Sequence, residues 1–267
     1  MAKVTSSPIS AFCWAELCSS DWAGGKQFYT QLFDWQFDDQ PIGEDCYYTM
    51  LKKQADDVAA MYQMMPEQKE ANIPSHWLGY IAVENVDAIA DKAKQLGATV
   101  IHGPCDVMSA GRMVMISDPG GASVAFWQAN EHIGTQRILE KNIPYWHELA
   151  CRGSEKIGQF YSELLGWQIQ VEKMEHMDYT LFCNEQGPVA GMLEMTEEWE
   201  GIPPHWMIYF AVADCDAMSE KATSLGGQVC VPPTDIPNIG RFAVITDPQG
   251  AVFSIMQSCN GDIDLNA

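Results

Sequence analysis

"GRMVMISDPGGASVAFWQ", residues 111–128, returns as "GRFAVITDPQGAVFSIMQ" at residues 240–257. Both copies keep Gly-Arg, then Asp-Pro-x-Gly-Ala, then a closing Gln, with apolar runs on either side of the turn residues. Each copy therefore reads as a strand, a tight turn and a strand. Two more segments recur. "IPSHWLGYIAVENVDAIADKAKQLGATV" from Ile73 matches "IPPHWMIYFAVADCDAMSEKATSLGGQV" from Ile202, and "CWAELCSSDWAGGKQFYTQLFDW" from Cys13 matches "YWHELACRGSEKIGQFYSELLGW" from Tyr145. A repeat of half the chain marks domain duplication rather than a solenoid, whose units run about 20–50 residues. Two domains are expected, residues 1–133 and 134–267, joined around "ANEHIGTQRILEKNIP".

Each half divides again. Residues 12–18 alternate as a strand, and Trp22, Phe28, Leu32 and Phe33 form one helical stripe. A strand after "LFDW" and a hairpin folded at Ala55-Asp56-Asp57 complete the first unit. From Trp77 the order recurs: a strand, the helix "VDAIADKAKQLG" closed by Gly97, then "ATVIHG" and the Asp-Pro-Gly-Gly hairpin. The fold class is α+β, built as four βαβββ modules.

Composition narrows the function. Of the 267 residues 47% are hydrophobic and 19% charged, enough for a sizeable core. No apolar run reaches the ~18 residues of a membrane span, and the N-terminus lacks the apolar stretch of a secretory signal. Nine Cys without CxxC spacing read as reduced thiols, so a cytoplasmic protein is expected. A formal charge of −21 repels nucleic acid and anionic membrane, so neither is expected as a partner.

The "DPGGA" and "DPQGA" hairpins, the "KQFYTQLFDW" and "GQFYSELLGW" helices and the "NVDAIADKAKQLGATV" and "DCDAMSEKATSLGGQV" segments resemble the glyoxalase/bleomycin-resistance/dioxygenase group, the vicinal oxygen chelate superfamily. More narrowly, the chain resembles two-domain glyoxalase-like proteins typified by a mycobacterial culture-filtrate antigen. The resemblance implies two tandem glyoxalase-like domains whose mixed sheets curve into cups. Metal-using members place His, Glu or Gln on the first strand of each module and on the last strand, facing inward. Carried over, those positions are Trp14, Leu78 and Ala125 in the first half and Trp146, Met207 and Ser254 in the second. None supplies a usual ligand for a hard or borderline metal. Glu194, with Gln63 opposite it in the other half, could occupy a fourth position. No metal and no other cofactor are expected.

Among the histidines, His147 should face away from the cup, because it lies between Trp146 and Glu148. His76 and His205 each start a strand, as rim ligands or, the favoured reading, as groups satisfied by backbone. His102, His132 and His176 match no repeated position and receive no role.

Strand alternation gives the rest of the inward set. With Trp14 inward, Glu16 follows; with Leu78 inward, Tyr80 follows. If Ser117 opposes Ala122 across the hairpin, Ala125 lies across from Val114 and Trp127 across from Arg112. Arg112 would then enter the cup beside Glu16 and Trp127. The second half gives Trp146, Glu148, Tyr209, Arg241 and Met256. Such a cup could bind a small planar or carboxylate-bearing molecule between aromatic walls. Alternatively each Glu-Arg pair is a structural ion pair, and the cups are filled by side chains. The leading expectation is a metal-free, monomeric protein that binds a small molecule. The alternative is a metal-dependent lyase, isomerase or dioxygenase using His76, Glu16 and Glu194.

Overall fold

A computed structural model describes residues 2–44, 46–174 and 177–259. The short β1 (Ala2–Lys3) precedes the first module, made of β2 (Phe12–Ser19), α1 (Trp22–Phe33), β3 (Gln36–Gly43), β4 (Cys46–Lys53) and β5 (Asp56–Gln63). After the short helix α2 (Pro66–Glu70), the second module comprises β6 (His76–Ala82), α3 (Val86–Gln95), β7 (Thr99–Val107), β8 (Gly111–Ser117) and β9 (Ser123–Ala129). The connecting strand β10 (Arg137–Ile138) leads to β11 (Pro144–Cys151), α4 (Ser154–Leu165), β12 (Gln168–Lys173), β13 (Asp178–Asn184) and β14 (Gly187–Glu194). The last module is β15 (His205–Ala211), α5 (Cys215–Ser224), β16 (Gln228–Ile236), β17 (Gly240–Thr246) and β18 (Val252–Ser258).

Each pair of modules makes one eight-stranded mixed sheet, in the order β3-β4-β5-β2-β6-β9-β8-β7 and β12-β13-β14-β11-β15-β18-β17-β16. The first strands of paired modules run antiparallel at the centre, and each runs parallel to the last strand of its own module. Helices α1, α3 and α5 start where short polar side chains can take the free backbone N–H groups. Asp21 accepts from Gly24, Asn85 from Ala88 and Asp214 from Ala217. Gly97, at φ +93°, follows α3 as its spacing predicts.

The helix-bearing faces of the two sheets share their cores crosswise. One core joins Ala15, Phe28 and Phe33 of the first module to Phe210, Cys215 and Phe253 of the fourth. The other joins Ile81, Ala90 and Phe126 of the second module to Leu149, Tyr161 and Phe182 of the third. A third, smaller cluster lies on the opposite face of the first sheet, around Trp14, Leu78, Tyr80, Ala125 and Trp127. That face is the cup.

The hairpin register differs by one residue from the sequence expectation. Ser117 pairs with Ser123, not Ala122, so Arg112 lies opposite Gln128, and Met113 opposite Trp127. The second domain repeats this, with Arg241 opposite Gln257. Five residues, 118–122, form the turn, closed by Asp118 N–H to Ala122 O at 2.8 Å. The Asp118 carboxylate braces it by accepting from Gly120 and Ala122 N–H. A slip of one residue sends every side chain of a strand to the other face, and Arg112 and Arg241 leave the cup.

Candidate functional site

The arginines grip helices instead. Arg112 donates to both Asp87 carboxylate oxygens at 2.8 Å and to Asp106 at 2.8 Å. Arg241 does the same with Asp216 and Asp235. The closing glutamines join them: Gln128 Oε1 accepts from Val86 N–H, and Gln257 Oε1 from Cys215 N–H, at the starts of α3 and α5. The expected Glu16–Arg112 and Glu148–Arg241 pairs do not form.

On the cup face of domain 1, each Glu16 oxygen accepts a phenol hydroxyl. Tyr48 donates at 2.7 Å and Tyr80 at 3.0 Å, while the Trp14 indole N–H donates to the Tyr48 hydroxyl at 3.2 Å. Domain 2 builds the same figure: Tyr179 donates to Glu148 at 2.7 Å, Tyr209 at 2.8 Å, and Trp146 to the Tyr179 hydroxyl at 3.1 Å. Burial pushes both glutamates above the ordinary range, outweighing the two tyrosine donors that favour the ionised form. Tyr48 on β4 and Tyr179 on β13 each sit on the third strand of their module, and their pairing with Glu was missed because it crosses strands that are not neighbours in sequence.

Among the described residues the two cups differ in their cover. In domain 1 the connecting segment returns over the cup face. The Trp127 indole N–H donates to His132 O at 2.8 Å, and the His132 ring meets Trp14 edge-on at 4.6 Å between centroids. The segment is tied down further along by Thr135 N–H to Cys13 O and by Arg137, which donates to Asp56 and Glu140 at 2.8 Å. Trp14, Glu16, Tyr80 and Trp127 are buried there. In domain 2 Met256 stands where Trp127 stands, and no indole is available for such a tether. Trp146 and Glu148 are only half-buried. Ser254 takes the place of Ala125. Its Oγ is buried beside the Tyr209 hydroxyl, without a hydrogen bond of normal geometry.

The positions that would ligate a metal do face the cups. Trp14, Leu78 and Ala125 belong to the domain 1 cluster, and the ladder puts Met207 beside Glu148 and Ser254 beside Tyr209. Indole, thioether and aliphatic groups do not fit a divalent ion. Among the described residues no three His, Cys, Asp or Glu side chains gather for one. Glu194 and Gln63 are helix caps: Glu194 accepts from Gly153 and Ser154 N–H at 2.8 and 2.6 Å, and Gln63 from Trp22 N–H at 2.9 Å. His76 and His205 contact the backbone carbonyls of Pro74 and Pro203 at 2.8 and 2.9 Å. His147 faces away from the cup and stacks on Phe12 at 3.7 Å between centroids. His176 lies outside the described residues.

The glyoxalase/bleomycin resistance protein/dioxygenase superfamily profile matches residues 12–126 and again residues 146–255. The chain belongs to this superfamily. Among superfamily relatives, CFP32 of Mycobacterium bovis is 40% identical over 246 residues, which is 91% of this chain and 93% of that protein. The anthracycline biosynthesis protein DnrV of Streptomyces peucetius is 31% identical over 261 residues, 93% of each chain. The fold is also that of the Mn(II)-bound glyoxalase from Novosphingobium aromaticivorans, with TM-score 0.65 at 14% identity over 97% of this chain and 85% of that one.

Proposed function

We propose that the chain is a metal-free member of the superfamily that binds a small molecule in a cup. The observation that carries this reading is the replacement of the whole inward donor set. Trp14, Leu78, Ala125, Trp146, Met207 and Ser254 stand where a metal would need nitrogen or carboxylate ligands. What the cups offer instead is a carboxyl group held by two phenols, one of which accepts from an indole N–H, among apolar side chains. That is the makeup of a binding pocket, with apolar walls and a few placed polar groups. The domain 2 cup is the better receptor of the two, because the connecting segment of domain 1 already lies against Trp14 and Trp127.

A metal-dependent lyase, isomerase or dioxygenase would need His76, Glu16 and Glu194 to converge. Glu194 caps a helix of domain 2, Glu16 is engaged by tyrosines of domain 1, and His76 sits at the beginning of β6. The test is metal content by mass spectrometry, on protein purified without added metal and again after dialysis against Mn, Fe, Ni and Zn. The expected stoichiometry is far below one per domain. Retention of about one ion per domain, lost on mutating any cup residue, overturns the reading.

A further inference from the structure

We infer that the domain 2 cup selects a small organic cation, a protonated amine carrying an apolar or aromatic body. This rests on the reading that a cup binds a small molecule, and adds which cup and which ligand charge. Glu148 receives two phenol hydrogens, and no Lys, Arg or His among the described residues makes an ion pair with it. A carboxylate drawn partly out of water and lacking a cation is costly, and a ligand cation removes that cost. Around it stand Tyr145, Trp146, Tyr179 and Tyr209, whose π faces attract cations and repel anions. The Ser254 hydroxyl is buried beside Tyr209 without a hydrogen bond of normal geometry. A buried polar group of this kind calls for a partner from outside the chain, and an ammonium N–H supplies one.

Domain 1 differs in two respects. Ala125 replaces Ser254, and the His132 ring and carbonyl already occupy the vicinity of Trp14 and Trp127. The shared Glu-Tyr-Tyr-Trp figure therefore serves as architecture in domain 1, while domain 2 leaves it half-buried.

The test is a titration of the full chain, with methionine methyl groups labelled by ¹³C, against benzylammonium, benzyl alcohol and benzoate near neutral pH. The Met207 and Met256 methyls report on the domain 2 cup, and Met50, Met113 and Met115 on the domain 1 cup. Benzylammonium is expected to shift Met207 and Met256 with an affinity roughly tenfold or more above that of benzyl alcohol, and benzoate to shift neither. Glu148→Gln should remove that preference, and Ser254→Ala should weaken it. The unshifted methyls check that the variants are folded, and the charge series on the natural chain stands even if one variant is not. Equal shifts from benzyl alcohol or benzoate, or an ammonium preference unchanged in Glu148→Gln, overturn the inference and leave cup binding intact. Shifts confined to Met50, Met113 and Met115 overturn the choice of cup. If none of the three probes moves any of these methyls at tens of millimolar, ligand binding in the cups fails as a whole.

Discussion

Tyr29 on α1 and Asp247 in the last hairpin are 218 positions apart, yet the phenol donates to the carboxylate at 3.0 Å with both groups buried. Trp77 donates its indole N–H to the same phenol oxygen at 2.9 Å. The pseudo-symmetric trio is Tyr161, Asp118 and Trp206, with distances of 2.9 Å and 2.9 Å. The aspartate of each Asp-Pro-x-Gly turn thus braces its own hairpin through backbone N–H groups and receives a tyrosine from the other domain. The recurrence of the phrase reflects two reciprocal locks between the domains.

Tyr29→Phe should orphan the Trp77 indole and remove a donor from a buried carboxylate. The expected loss is about 1–3 kcal/mol for each group left unpaired, measured by urea unfolding. Tyr161→Phe should cost a similar amount, and the two losses should add, since the trios are separate. A Tyr29→Phe protein as stable as the natural one would show that the lock contributes nothing.

The duplication and the module order were legible because each leaves a local mark: a repeated phrase and a 3.6-residue stripe. Glu16 and Glu148 were legible as inward by alternation from Trp14 and Trp146. The arginines were not, because the hairpin register hinges on whether four or five residues turn at Asp118, and Asp-Pro-Gly-Gly allows either. The Asp118 side chain, accepting from two backbone N–H groups, selects the longer turn. His132 over Trp14 was illegible for another reason: the segment carrying it matches nothing in the other half.

With the register as observed, Arg112 and Arg241 are partly exposed and bridge surface aspartates of their own domains. Arg112→Gln combined with Arg241→Gln should change the thermal midpoint little, and less in high salt. A large loss of stability, of the size expected for an orphaned buried carboxylate, would return the arginines to the cup.

His147 gives a signed pH dependence. Burial between the sheets drops its pKa to about 3, against 6.5 unperturbed. Above pH 6.5 the ring is neutral in both folded and unfolded chains and contributes no slope. Below it the unfolded chain takes up the proton first, so folding loses up to about 1.4 kcal/mol per pH unit until pH falls to about 3. The raised carboxyls Glu16, Glu148, Asp118 and Asp247 act in the opposite direction, because the folded state holds their protons more tightly. The His147 share is isolated by subtracting the pH–stability curve of His147→Leu from that of the natural chain. A flat difference between pH 4 and 6 would mean that the ring reaches solvent.

A monomer is the proposed solution state. The helix-bearing faces of both sheets are already covered, each by the other, through two cores that draw on both domains. Light scattering at micromolar concentration should return a mass near 29.7 kDa. Twice that mass, held on dilution, would point to an interface on the cup faces or the sheet edges.

Gly191 tests how closely the domain 2 cup is fitted. It lies on β14 directly beside Glu148, and a Cβ at this position would come within 1.8 Å of the Tyr179 hydroxyl and 2.5 Å of its ring carbon. Domain 1 has Ala60 beside Glu16 at the corresponding place, with Tyr48 still donating to Glu16, so a methyl group is compatible with the strand and what it meets in domain 2 is the closer placement of the Tyr179 ring. Gly191→Ala should therefore push Tyr179 off both Glu148 and Trp146, at a cost of about 1–3 kcal/mol from overpacking. It should also leave one carboxylate oxygen of Glu148 without its donor. Removing the hydroxyl as well, in Gly191→Ala with Tyr179→Phe, relieves the crowding, so the double variant should be more stable than the two single losses added together. Urea unfolding of the four proteins closes the cycle. Strict additivity would mean that residue 191 and the phenol do not touch, and that the cup is looser around Glu148 than its hydrogen bonds describe.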